Sequence, residues 1–154
     1  MDDALTFDVD LEWSGVGKAG VGRVETGNLV FTYSAPESMG GCGIGASPED
    51  LLVAAVSSCY SATLFGVLRR AGLRAAGVHV SARGVVTGYP TATEFARLVV
   101  APTVIGGDPS RRQEYVDAAH AARERCFIGR TIAGNVAYEV GEVTVAPTVE
   151  ASAA

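Results

Sequence analysis

A long apolar helix constrains the fold of this chain more than any other feature of its sequence. The segment Ser47-Pro48-Glu49-Asp50 predicts its start, with a capping serine, a proline in the first turn and two acids at the positive end of the helix. From Leu51 to Leu68 the pattern is apolar nearly all round, which predicts a helix buried on most sides. Gly72 is placed to end it.

The rest of the chain predicts strands and a second helix. Strict alternation of apolar and polar residues predicts a strand from Leu5 to Trp13, and Gly27-Asn28 predicts a hairpin turn into a strand over residues 29–33. Further on we expect a hairpin over 78–86 and 95–104, a helix starting at Asp108-Pro109, and a last strand over 136–145 with a bulge at Gly141. The strands follow one another too closely for a doubly wound parallel sheet, so the predicted fold class is α+β.

Length and charge narrow the functional classes. The chain has 154 residues, the size of one domain, and a net charge of −5 without any run of Lys or Arg. Nucleic-acid binding needs clustered basic residues, so we expect no nucleic-acid partner. The start, Met1-Asp2-Asp3-Ala4, lacks the basic stretch of a secretory signal. We therefore expect a cytoplasmic protein that does not bind membranes. In the cytoplasm, cysteines serve redox or metal chemistry more often than structural disulfides.

The chain has three cysteines, Cys42, Cys59 and Cys126. There is no Cys-x-x-Cys pair and the two histidines are scattered, so we expect neither a metal site nor a cofactor. Cys59 lies mid-helix, as either a small core hydrophobe or a functional thiol. The hydroxyl residues around it, within 57–61, favour the second alternative, because buried hydroxyls need partners and indicate a cavity. Cys126 ends the second helix on its apolar face, whereas Cys42 lies in a glycine-rich loop and is expected to be incidental.

Two segments resemble the signatures of the OsmC/Ohr family. Residues 46–59 read ASPEDLLVAAVSSC, a small-Pro-Glu start and an Ala-rich helix with a cysteine ten residues after the glutamate. Residues 123–132 read RERCFIGRTI, and here too a cysteine ends a helix. The resemblance spans roughly residues 5–145. It implies one OsmC-like domain over 1–154, frayed from about 147. In that fold, antiparallel strands surround the long buried helix with Cys59, a second helix ends at Cys126, and two chains form an intertwined dimer.

The resemblance also implies a thiol-dependent peroxidase. Cys59 would attack the O–O bond of an organic hydroperoxide, and the resulting sulfenic acid would condense with Cys126 to a disulfide. A dithiol, which in the family is a lipoyl group or a small thiol, would then reduce the enzyme. The partners implied are therefore the peroxide, the reductant and a second copy of the chain.

Attack by Cys59 requires a thiolate, and a buried thiol resists ionising, so we expect a cation nearby. The family's arginine in the first glycine-rich turn falls on Ala19 here, which leaves Arg23 or Lys18. Arg23 is favoured, because its planar fork can bond Glu49 while another edge faces the sulfur. Along one helix Glu49 and Cys59 lie roughly 15 Å apart. Either the helix is broken or one of these residues comes from a second protomer, and an intertwined dimer agrees with the latter.

Two other hypotheses remain. A non-catalytic OsmC-like protein would bind a small apolar ligand at the dimer interface, and the displaced arginine favours it. An unrelated α+β protein would carry Cys59 for structural reasons only, and then Cys59 and Cys126 would have no reason to lie together.

Overall fold

A computed structural model describes residues 4–148 of the protein. They form two compact units, which divide the chain after Leu51. Strands and helices follow one another in the expected order, and the predicted α+β class is confirmed. The expectation that the chain is one domain stays a prediction. Most of the tail expected to fray lies outside the described residues.

The first unit contains a three-stranded antiparallel sheet in the order β1-β2-β3. Its strands are β1 (Asp10–Ser14), β2 (Val21–Thr26) and β3 (Leu29–Ser34). The two residues Gly27-Asn28 join β2 to β3, as predicted. Gly27 has a φ of +53°, a conformation that glycine adopts readily and that the first central residue of such a turn requires.

The first strand is shorter than its sequence pattern predicts, since it begins at Asp10 rather than Leu5. Asp10 lies opposite Glu25, one residue before β2 ends at Thr26 and the hairpin turns away. Residues 5–9 therefore have no strand to pair with in the part of the chain that the structure describes. The apolar residues of the predicted strand are exposed, by 86% at Phe7 and still by 45% at Trp13.

The second unit contains a four-stranded sheet. Its strands are β4 (Gly77–Thr87), β5 (Glu94–Ile105), β6 (Ala137–Val140) and β7 (Thr144–Ala146). The strands β4 and β5 form the predicted antiparallel hairpin, whereas β6 and β7 both run parallel to β5. The sequence predicts one last strand with a bulge at Gly141. The structure has two short strands, interrupted where Gly141 N–H donates to the Val100 carbonyl at 2.8 Å.

The described chain has three α-helices: α1 (Pro48–Arg70), α2 (Arg112–Arg125) and α3 (Phe127–Ile132). The first four residues of α1 belong to the first unit, and all the other residues of these helices belong to the second. Gly72, with a φ of +65°, follows the end of α1 as predicted. Asp108 caps the 3₁₀ turn that leads into α2, since its carboxylate accepts a hydrogen bond from Ser110 N–H at 3.0 Å. The short helix α3 has no counterpart among the sequence predictions.

The described chain buries one face of α1. That face carries Val56, Tyr60, Leu64, Val67 and Leu68, and it belongs to a core with Tyr115, Ala118, Ala119 and Ala122 of α2 and Leu98, Val100 and Val104 of β5. The sequence predicts burial on most sides, yet Ala54, Ala62 and Phe65 are exposed. By length and composition alone α1 could also cross a membrane, a property that core helices of soluble proteins share.

Candidate active site

Cys59 lies midway along α1, half-buried, in an open cleft of about 690 Å³. The cleft is lined by Ala55, Ser58, Cys59, Ala62, Thr63, Phe127 and Ile128. Most of these side chains are apolar, so the surface around the sulfur suits an apolar molecule better than water.

The serines around Cys59 find their partners within the helix. Ser57 Oγ donates to the Val53 carbonyl at 2.7 Å, and Ser61 Oγ donates to the Ser58 carbonyl at 2.9 Å. Such bonds to the preceding turn satisfy a hydroxyl without any cavity. The cleft beside Cys59 is present, but these hydroxyls are not evidence for it.

Cys126 is fully buried at the junction of α2 and α3. Its Sγ accepts a hydrogen bond from Gly129 N–H at 3.4 Å and so caps α3. Cys126 and Cys59 are both free thiols. Cys59 packs against the core cluster that contains Cys126, and each thiol acts on the pKa of the other.

The surroundings of Cys59 favour its thiolate. Burial raises the pKa of Cys59, but four hydrogen-bond donors outweigh it and hold the pKa below that of an ordinary cysteine. In order of influence they are the Ile128 backbone, the Cys126 thiol, the Thr63 hydroxyl and the Phe127 backbone. The Thr63 hydroxyl also donates to the Cys59 carbonyl, at 2.8 Å. None of these four groups is a cation. Groups at the start of α3 and one turn along α1 thus lower the Cys59 pKa, and the cation that the sequence predicts there stays a prediction.

Cys126 is affected in the opposite direction. Burial raises its pKa most. The bond from Gly129 N–H lowers the pKa, interaction with Cys59 raises it, and the nearby Tyr138 lowers it least. Two neighbouring groups whose pKa values move apart are suited to different roles. The arrangement suits Cys59 as the nucleophile and Cys126 as the protonated partner.

The family model for OsmC-like proteins matches residues 40–141, about two thirds of the chain, and both cysteines lie within the match. The chain belongs to the OsmC family. A curated relative, the uncharacterized protein YmaD of Bacillus subtilis, is 31% identical over 134 residues, which cover 84% of this chain and 88% of YmaD.

Solved structures of OsmC proteins share the fold. An OsmC-like protein from Mycoplasma pneumoniae superposes with a TM-score of 0.74 at 15% identity, covering 95% of this chain and 99% of that one. The organic hydroperoxide resistance protein OhrB of Bacillus subtilis gives a TM-score of 0.64 at 20% identity, covering 90% and 98%. At these identities the similarity establishes the OsmC-like fold.

In this OsmC protein the predicted Ser47 caps α1, and Glu49 takes no part in the cap. The cap is formed by Ser47 and Asp50, whose Oδ2 accepts hydrogen bonds from Ser47 N–H at 2.9 Å and from Ser47 Oγ at 2.8 Å. Glu49 Oε2 is buried and accepts no hydrogen bond from any residue in the range 4–148. A buried carboxylate oxygen without a donor is unfavourable, so Glu49 is available to a cation.

The two candidate cations lie in the first unit. Arg23 is on β2, where it forms an ion pair with Glu25, and both side chains are half exposed. Lys18 lies in a 3₁₀ turn over Gly17–Ala19. Exposed ion pairs contribute little stability, so Arg23 can exchange its partner readily.

Cys42 lies in the same unit, with its thiol 3.2 Å from the Ala19 carbonyl. Among residues 4–148 no cluster of three or more His, Cys, Asp or Glu side chains could hold a metal ion.

Sequence reasoning missed the residues that act on Cys59 from outside its motif. Thr63 follows Cys59 by four positions, which places both on one face of a helix, and this spacing is a signal that the sequence does contain. The position of the Phe127 and Ile128 backbone donors depends on α3, and no sequence pattern predicts it.

Proposed function

We propose that this OsmC protein is a thiol-dependent peroxidase that reduces organic hydroperoxides at Cys59. One observation carries the proposal. Two free thiols lie together beside an apolar cleft, and their pKa values are displaced in opposite directions. A thiolate nucleophile next to a protonated thiol is what a two-cysteine peroxidase needs.

The first step oxidises Cys59. Its thiolate attacks the terminal oxygen of R–O–OH, the O–O bond breaks, and Cys59 becomes a sulfenic acid while the alkoxide leaves and takes a proton from water to form the alcohol. The peroxide gains two electrons from sulfur.

The second step closes the disulfide. The sulfur of Cys126 attacks the sulfur of the Cys59 sulfenic acid, an S–S bond forms, and the S–O bond breaks. Hydroxide leaves and combines with the proton that Cys126 gave up, which yields water. A dithiol such as a lipoyl group or a small thiol then supplies two electrons and two protons to restore both cysteines.

The homodimer is part of this proposal. The apolar row at the start of the chain and the exposed side of α1 would be covered by a second copy. In the dimer, a cation from one protomer would bond the unpartnered Glu49 oxygen and approach the Cys59 sulfur. We propose Arg23 for this role, with Lys18 as the alternative. The protein would act in the cytoplasm, without nucleic acid or membrane.

The proposal is tested by following cumene hydroperoxide consumption with dihydrolipoamide as reductant. We expect turnover by the wild type and none by Cys59→Ser. Arg23→Ala is expected to slow the reaction at neutral pH, whereas Glu25→Ala, which removes only the present partner of Arg23, is the matched control and should not. Equal rates for Arg23→Ala and the wild type would remove Arg23 from the site.

The non-catalytic hypothesis is favoured by one observation, that no cation is among the groups that lower the Cys59 pKa. It predicts that an apolar molecule binds the cleft and that peroxide is not consumed. Binding of a fluorescent fatty acid together with absence of peroxide turnover would favour it.

A further inference from the structure

Tyr138, on β6, carries a buried hydroxyl that the proposed reaction has not used. The residue is 3% exposed, and its hydroxyl oxygen has no hydrogen-bond partner in bonding geometry among residues 4–148. The other large tyrosines of the core are satisfied: Tyr60 donates to the Ala119 carbonyl at 3.1 Å, and Tyr115 donates to the Arg74 carbonyl at 2.7 Å. Because buried polar groups are nearly always hydrogen-bonded, we expect the Tyr138 hydroxyl to find an acceptor in another state of the site.

The chain makes specific room for the Tyr138 ring next to Cys126. A Cβ on Gly129 would lie 2.3 Å from Cε1 of that ring, so only glycine fits there. The same Gly129 donates its N–H to Cys126 Sγ at 3.4 Å. The Tyr138 ring and the Cys126 sulfur therefore both lie against Gly129.

Arg123 of α2 fixes the tyrosine in this position. Its Nε donates to the Tyr138 carbonyl at 2.9 Å, and its guanidinium lies 5.3 Å from the centre of the ring. Arg123 thus holds both the backbone and the ring face of Tyr138, and Gly129 lies against the ring, so the ring has little freedom to turn away. The direction of the hydroxyl is thus set by two residues, Arg123 and Gly129.

The titratable and charged groups that act on Cys126 and Tyr138 are few. They are Cys59 and Tyr60 from α1, Arg123 from α2, and the two residues themselves. Burial, and after it the nearby Cys126, raises the pKa of Tyr138, so the phenol keeps its proton at any pH at which thiols react. Burial likewise keeps Tyr60 neutral by raising its pKa. Tyr138 is therefore a permanent donor, and its interaction lowers the pKa of Cys126.

We propose that the Tyr138 hydroxyl donates a hydrogen bond to the Cys126 thiolate during disulfide closure. The inference rests on the proposed function and assigns Tyr138 to its second step. While Cys59 is a thiolate, its charge disfavours a second thiolate, so Cys126 keeps its proton and directs it toward the Val56 carbonyl at 3.8 Å. Oxidation of Cys59 to the sulfenic acid removes that negative charge and with it the interaction that disfavours the Cys126 thiolate.

Tyr138 then stabilises the charge that Cys126 acquires. The Cys126 thiolate attacks the Cys59 sulfur, the S–S bond forms, and hydroxide leaves and takes the proton released by Cys126. Tyr138 keeps its own proton throughout and transfers nothing. It is a positioning and charge-stabilising donor for the resolving sulfur, and it has no part in the attack on the peroxide.

The test compares Tyr138→Phe with the wild type after one equivalent of cumene hydroperoxide, with disulfide closure followed by quenching and mass spectrometry across the pH range. We expect sulfenic acid formation at an unchanged rate. Disulfide closure should become about three- to tenfold slower at neutral pH, with its pH midpoint moved upward, since one pKa unit changes the thiolate fraction about tenfold. An unmoved midpoint would overturn the proposal.

Tyr115→Phe is the matched control, because it removes a buried phenol that bonds the Arg74 carbonyl and Asp108 N–H rather than acting on Cys126. It should lower thermal stability and leave the pH midpoint alone. Tyr138→Phe deletes an unbonded hydroxyl and should fold at least as well as the wild type. The same midpoint shift in both variants would also overturn the proposal.

A second measurement keeps this inference separate from the peroxidase itself. In a protein with Cys42→Ser and Cys59→Ser, Cys126 is the remaining thiol. Its pKa can be measured from the thiolate absorbance in this protein and in the same protein with Tyr138→Phe added. We expect a higher Cys126 pKa with phenylalanine, whether or not the wild type consumes peroxide. Equal pKa values would overturn the role of Tyr138. If the expected pKa difference is found but the wild type does not consume peroxide, only the proposed peroxidase function is overturned.

Discussion

At the scale of single residues, the ionisation of Cys59 shows how far sequence reasoning reaches. The cysteine and its helix are recognisable from the order of residues 46–59, because capping, apolar pattern and spacing are all local. The need for a stabilised thiolate also follows from burial alone. The identity of the donors does not follow from the sequence, since two of the four are backbone groups that reach Cys59 only once α3 has formed next to α1.

Thr63 offers the sharpest test at this scale, because its hydroxyl lowers the Cys59 pKa from one turn away. Thr63→Val keeps the shape and removes the donor, so the Cys59 pKa should rise and alkylation by iodoacetamide should slow severalfold at neutral pH. Thr131→Val is the matched control, since Thr131 also bonds the carbonyl four residues back, at 3.0 Å, but does not act on Cys59. An unchanged alkylation midpoint in Thr63→Val would show that its hydroxyl serves the helix only.

At the scale of elements, periodicity identifies apolar faces but does not say what covers them. The alternation over residues 5–13 and the apolar helix α1 are both real features, yet the described chain leaves much of each exposed. A strand also needs a neighbour, and β2 ends too early to pair with residues 5–9. The hairpin at Gly27-Asn28 and the start of α1 were predictable because their determinants lie within four residues.

The cap of α1 gives an element-scale prediction. Ser47→Ala removes the donor to Asp50 and should lower the free energy of unfolding by about 1 kcal/mol at neutral pH. Bonds from the Ser47 backbone and hydroxyl hold the Asp50 pKa below that of an ordinary aspartate. A carboxylate whose pKa is lower in the folded than in the unfolded chain stabilises the fold at any pH above its unfolded-state pKa. This contribution is lost as the pH falls through its folded-state pKa. The difference between wild type and variant, measured by urea unfolding, should therefore shrink in acid, and a difference independent of pH would refute the assignment.

At the scale of the whole molecule, two observations point beyond one chain. Glu49 has a buried oxygen without a donor among the residues that the structure describes, and large apolar side chains such as Leu5, Phe7 and Phe65 are exposed there. Neither is expected of a protein that works as a monomer. The α+β class followed from element order, whereas the sequence of one chain does not say what covers these surfaces.

Sedimentation at micromolar concentration should therefore find a dimer. Phe7→Glu places a charge in the apolar row and should shift the protein toward monomer, with lower peroxide turnover if a partner completes the site. Val16→Glu, at an exposed position outside the row, is the control and should remain dimeric. A wild-type monomer with full turnover would contradict both the dimer and a site shared between protomers.

The central claim is that Cys59 and Cys126 form one redox pair with distinct roles. It is tested most directly by treating the reduced protein with one equivalent of cumene hydroperoxide and mapping its cysteines by mass spectrometry. The account predicts a Cys59–Cys126 disulfide in the wild type, a dimedone-trapped sulfenic acid at Cys59 in Cys126→Ser, and no oxidation of Cys126 in Cys59→Ser. Reduced cysteines throughout, or oxidation at Cys42 in place of Cys59, would contradict it.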